Sequence, residues 1–127
     1  PKTKKDSAGL KKWCIEKGIR YLYQGRTANP PENVLKEFGG HYEEVRSHNN
    51  KQPIKELISP FNAYLIRPWK NIDKKHIYEL YKEHNLLDTL EPLTWSCIAF
   101  ADETNFFSEP CKKCYWCKEK YWAFGKY

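Results

Sequence analysis

The chain has 127 residues, with 22 lysines and arginines against 16 acids for a formal charge of +6, and 16% of its residues are aromatic. That length buries one modest core, and a mean hydropathy of −0.85 with apolar runs no longer than those at 63–66 and 98–100 excludes a membrane helix of roughly 20 residues. The lysine-rich N-terminal stretch has no apolar segment behind it, so no signal peptide is expected and a soluble, cytoplasmic protein is.

Residues 1–7 are polar and basic and read as a frayed end or the edge of a longer protein. A helix is expected over 8–17, with Ala8, Leu10, Trp13 and Cys14 at helical spacing and Gly18 to stop it. Cys14 falls on the apolar side and is expected to be a buried, inert thiol. Residues 19–24, rich in branched and aromatic side chains, read as a strand ending at Gly25. Asn29-Pro30-Pro31-Glu32 then predicts a helix start, with Asn29 as cap, Glu32 returning the bond, and Gly39-Gly40 as the stop.

The polar stretch 41–52 reads as a loop. Residues 54–58 fit a short helix or strand broken by Ser59-Pro60, and 62–67 a strand stopped by Pro68. A helix follows over 73–85, capped by Asp73 or Asn71, with Ile77, Leu80 and Tyr81 on one face. Helices and strands alternating in this order predict an α/β sheet packed between helices. Residues 86–93 connect it to the cysteines, 98–110 form a loop, and 115–124 an aromatic helix closed by Gly125. Trp116, Tyr121, Trp122 and Phe124 are expected to pack that helix, with the cysteine region, onto the sheet domain.

Four of the five cysteines lie in the last third: Cys97 in Thr-Trp-Ser-Cys, then Cys111, Cys114 and Cys117 in Cys-Lys-Lys-Cys-Tyr-Trp-Cys. Two overlapping C-x2-C steps put three sulfurs on one turn, and the 98–110 loop is long enough to return a fourth. That pattern points to a closed four-thiolate zinc site with a structural role. An iron–sulfur cluster is the rival, because C-x2-C-x2-C opens the ferredoxin run, but Tyr121 stands where that run has its fourth cysteine. Unligated buried thiols are the third reading. Lys112, Lys113, Lys118 and Lys120 are placed to offset the double negative charge of a divalent ion with four thiolates.

The other titratable residues give weaker signals. His41, His48, His76 and His84 read as surface residues, and Asp102-Glu103 as a solvated pair rather than a general acid and base. Neither G-x-x-x-x-G-K-[ST] nor G-x-G-x-x-G occurs.

The run from Thr94-Trp95-Ser96-Cys97 through Cys111, Cys114 and Cys117 to Lys118-Glu119-Lys120 and Ala123-Phe124 resembles the C-terminal end of 7-cyano-7-deazaguanine synthase, a member of the ATP-pyrophosphatase (PP-loop) superfamily. Upstream, Ile72-Asp73-Lys74, the run 86–94, and the strand at 19–25 are similar to the same family, so about two thirds of the chain is covered. The resemblance implies a Rossmann-like, adenine nucleotide alpha hydrolase-like sheet portion over 1–93 and a zinc knuckle over 94–127, with Cys97, Cys111, Cys114 and Cys117 as zinc ligands. It implies a cytoplasmic carbon–nitrogen ligase of queuosine biosynthesis, using ATP with Mg on a purine-like small molecule, and leaves a homo-oligomer open.

Three departures accompany the resemblance. The family's S-G-G-x-D-S ATP loop is absent, so the chain is expected to be the C-terminal portion of a longer enzyme. Lys112 stands where the family's knuckle has Gly, and 26–30 differ from its acidic segment, which leaves a phosphosulfate-reductase-like or sulfur-inserting relative as an alternative. The reading from another class is a basic zinc module that binds nucleic acid through Lys112, Lys113 and Lys118.

Overall fold

The computed structural model describes residues 9, 12–39, 46–47 and 50–127, with only the backbone of Pro60. The expectations for 1–8 and Leu10, the loop at 41–45, and His41 and His48 lie outside the described residues. The chain divides into two compact units, Pro1–Arg26 with Lys51–Lys70, and Thr27–Asn50 with Asn71–Tyr127.

The first unit is built on a three-stranded mixed sheet of strands β1 (Tyr21–Tyr23), β2 (Lys55–Ile58) and β3 (Ala63–Ile66), in the order β1-β3-β2. β1 runs parallel to β3 in the register Tyr21 to Tyr64, and β2 runs antiparallel to it in the register Leu57 to Tyr64. The antiparallel step is short because Ser59-Pro60-Phe61 forms a 3-10 turn and Asn62 takes a left-handed conformation, φ 48°. Asparagine is among the few side chains that tolerate that region. Residues 12–16 are helical, Gly18 ends the turn at φ 62°, and Cys14 is fully buried as a free thiol.

The second unit is helical. Helix α1 (Glu32–Phe38) starts after Pro31 without a side-chain cap, so Asn29 does not cap it. Pro30 and Pro31 each hold the residue before them extended, which delays the first helical turn beyond the reach of Asn29. Gly39 ends α1 at φ 62°, its N–H donating to the Leu35 and Lys36 carbonyls. Helix α2 (Lys74–Glu83) is capped as its sequence predicts: the Asp73 carboxylate accepts from the amides of Lys75 and His76. Helix α3 (Tyr115–Phe124) ends at Gly125, φ 72°.

Aromatic edges hold α3 within this unit. Phe124 meets Tyr78 and Tyr81 of α2 edge-on at 5.6 Å each, and Tyr115 meets Phe38 of α1 at 6.3 Å. Ala28, Val34, Leu35, Cys97, Cys117 and Ala123 supply its buried apolar side chains. The fold is thus mixed α/β with a small mixed sheet. Among the described residues, no helix is long and apolar enough to cross a membrane.

Candidate metal centre

Cys97 is placed by the segment that follows the 3-10 turn Glu91–Leu93. Thr94 Oγ1 donates to the Glu91 carbonyl at 2.7 Å, and the Trp95 indole N–H donates to the Cys97 carbonyl at 2.8 Å. Those two bonds hold the strand-like run from Thr94 so that the Cys97 thiol turns inward, where it is buried.

The following loop returns the chain through an uncommon path. Asn105, Phe106 and Phe107 are all left-handed, at φ 46°, 54° and 64°, a conformation that costs roughly 1–2 kcal/mol for each L-residue with a bulky side chain. The buried Thr104 braces them, its hydroxyl donating to the Phe100 carbonyl at 2.8 Å and accepting from the Phe107 amide at 3.1 Å. Cys111 then arrives beside Cys97 and donates its amide to the Cys97 sulfur at 3.4 Å.

Lys112 is left-handed as well, at φ 60°. This bends the Cys111–Cys114 step until the Cys114 amide reaches the Cys111 sulfur at 3.3 Å. Cys114 is the N-cap position just before α3, and Cys117 sits in the first turn of that helix, buried. Unsatisfied amides at a helix start favour negative charge, here on sulfur.

The four sulfurs converge. The thiols of Cys97, Cys111, Cys114 and Cys117 all lie within 4.8 Å of one another, and Cys111 Sγ is 3.9 Å from Cys117 Sγ. A disulfide needs about 2.05 Å, and all five cysteines are free. Four sulfurs at about 2.3 Å from one ion define a tetrahedron with edges of about 3.8 Å, close to the Cys111–Cys117 separation and within reach of the others. A cubane cluster would put each thiolate on its own iron, pointing away from the centre, and so spread the sulfurs further apart.

Local chemistry separates the thiols. Amides of Cys114 and Lys113 directed at Cys111 hold its thiol well down, at about 7. Burial pushes Cys117 strongly upward.

Two buried ion pairs are anchored on α3, the helix that carries Cys117, and neither was expected from the sequence. The Arg46 guanidinium pairs with the Glu119 carboxylate and also donates to the Thr27 and Ala28 carbonyls, at 3.0 Å each. Its Cζ lies 5.1 Å from the Trp116 ring centre, and Lys74 approaches the second Glu119 oxygen at 3.1 Å. Glu91, also buried, pairs with Lys120 at 2.9 Å and with Lys126. Lys120 is therefore matched to Glu91, and its Nζ donates to the Thr94 carbonyl at 3.1 Å. Lys118 donates to the Phe38 carbonyl at 3.2 Å. The one hint in the sequence was Lys118-Glu119-Lys120 inside an aromatic run, a charged step with too few polar faces to keep all three in water.

A hollow of about 340 Å³ opens beside the cysteines, lined in part by Thr94, Trp95, Ser96, Cys97, Lys120 and Tyr127. His76 is exposed and hydrogen-bonds Asp73, and His84, exposed, caps the C-terminal end of α2. Asp102 and Glu103 are exposed in a 3-10 turn. No known protein family, curated protein or solved structure matches the chain.

Proposed function

We propose that Cys97, Cys111, Cys114 and Cys117 hold one structural zinc ion, and that the chain is part of an ATP-dependent adenylating enzyme resembling deazaguanine nitrile synthase. The observation that supports the metal is the convergence of four thiols within 4.8 Å. Sulfur-only donors in a tetrahedron suit zinc, and with four protein ligands no position is open for chemistry. The ion would tie the Thr94–Cys97 segment to the start of α3, two pieces that are otherwise joined by a strained loop.

The enzymatic reading rests on the motif that leads into the site. Thr94, Trp95 and Ser96 line the 340 Å³ hollow while Cys97 turns to the other sulfurs, so a metal brace at Cys97 would fix the shape of the hollow. Its size is at the lower end for small-molecule sites, and Trp95 and Tyr127 offer flat apolar surface for a heteroaromatic substrate. In the chemistry that the resemblance implies, a substrate carboxylate attacks the α-phosphate of ATP and releases pyrophosphate. Ammonia then displaces AMP to give the amide. A second ATP activates the amide oxygen, whose loss with AMP leaves the nitrile.

The test is pyrophosphate release by the protein made from its complete gene, supplied with ATP, Mg, ammonia and a 7-carboxy-7-deazapurine. Substrate-dependent pyrophosphate and a nitrile product are expected. A folded, zinc-loaded protein that releases neither would refute the enzymatic reading and leave the zinc site standing.

A further inference from the structure

The two units differ sharply in charge. Among described residues, the sheet unit carries eight lysines and arginines against two glutamates, whereas the helical unit carries ten against eleven acids. The positive charge is thus concentrated in the sheet unit, and the surroundings of the cysteines are balanced.

The same unit presents an aromatic sheet face. Tyr21 pairs in register with Tyr64, and Tyr64 with Leu57. Side chains alternate along a strand, so these three and the next row, Tyr23, Ile66 and Lys55, share one face. Tyr21, Tyr23 and Tyr64 are 53%, 72% and 37% exposed. The Tyr21 and Tyr64 rings are stacked, 6.0 Å apart and 20° from parallel, with the Lys55 ammonium 4.2 Å from the Tyr64 ring centre. Arg20 and Lys51 are exposed close in sequence to β1 and β2, at the margins of the sheet.

We propose that this face binds single-stranded nucleic acid. Flat rings on a sheet stack unpaired bases, and nearby cations track the phosphates. An acidic protein or an anionic membrane would also match the charge, but the parallel tyrosine rings beside a lysine suit stacking on unpaired bases best. The proposal is independent of the metal and of adenylation, and it puts the nucleic acid on the sheet rather than on the cysteine knuckle.

The test is fluorescence anisotropy of a fluorescein-labelled twelve-residue oligodeoxythymidine titrated with the full chain at low salt. Saturable binding is expected, with a log–log salt slope of about −2 to −3 if three or four phosphates are neutralised. Tyr21→Ala with Tyr64→Ala, and separately Tyr23→Ala, should each weaken binding at least about tenfold. The corresponding Tyr→Phe variants keep the stacking surface and should bind within about twofold of the parent, which separates stacking from loss of fold. Lys112→Gln with Lys113→Gln should leave binding unchanged. Absence of binding, equal binding to heparin or to phosphatidylserine vesicles, indifference to Tyr→Ala, or loss through the knuckle lysines would each overturn the proposal.

Discussion

Arg46 and Glu119 form a buried ion pair across 73 positions of sequence. The guanidinium also caps the Thr27 and Ala28 carbonyls, so one side chain ties the segment before α1 to the middle of α3. Removing either member takes a charge partner from a buried group, although Glu119 keeps Lys74 at 3.1 Å. Arg46→Leu or Glu119→Ala alone should cost about 3–5 kcal/mol in urea unfolding, and the double substitution should cost less than the sum of the two.

Lys112 occupies a left-handed position that glycine adopts without strain. Lys112→Gly is expected to stabilise the metal-loaded chain by about 1 kcal/mol, seen as a higher Tm. Lys113→Gly, one residue on and outside the left-handed region, should instead lower it. Equal behaviour of the two variants would contradict the bend assigned to Lys112.

Burial pushes the Glu91 carboxyl upward, but the ammonium groups of Lys126 and Lys120 outweigh it and hold the group below its ordinary 4.5. An acid with a depressed folded pKa stabilises the fold above the unfolded value and loses that contribution as pH falls through the folded value. Parent and Glu91→Gln should therefore differ in stability at neutral pH, and the gap should shrink as pH drops below about 4.5. A pH-independent gap in urea titrations would be inconsistent with the Lys120–Glu91 pair.

The thiols should report their surroundings in the metal-free chain. Cys111, held at about 7 by amide hydrogen bonds, should be alkylated by iodoacetamide ahead of Cys117, which burial keeps protonated. Zinc must displace those protons, so its apparent affinity should rise with pH across the neutral range. Mass spectrometry of the alkylated chain and zinc titrations at several pH values check both.

Short-range chemistry was legible in the sequence where one residue decides the outcome. Asp73 caps α2, while Gly39 and Gly125 stop their helices at positive φ. The cysteine spacing likewise brought four sulfurs together as read. Relations between distant segments were not legible. Nothing local tells 55–58 to insert as an antiparallel strand beside a parallel pair, and nothing near Arg46 names Glu119 as its partner.

The aromatics of α3 show the same limit. They were expected to pack the knuckle onto the domain before it, and within that stretch Phe124 finds Tyr78 and Tyr81 of α2, while Trp116 finds Arg46. An aromatic run announces burial without naming what covers it. The left-handed path through Asn105, Phe106 and Phe107 had no signal either, because phenylalanine is disfavoured there and Thr104 bracing becomes visible only in three dimensions.

The most direct test of the account is elemental analysis of the purified chain, alongside Cys14→Ser and Cys117→Ser variants. About one zinc per chain is expected in the parent and in Cys14→Ser, and its loss in Cys117→Ser. Iron with visible colour, no bound metal, or undiminished zinc in Cys117→Ser would contradict a zinc ion held by Cys97, Cys111, Cys114 and Cys117.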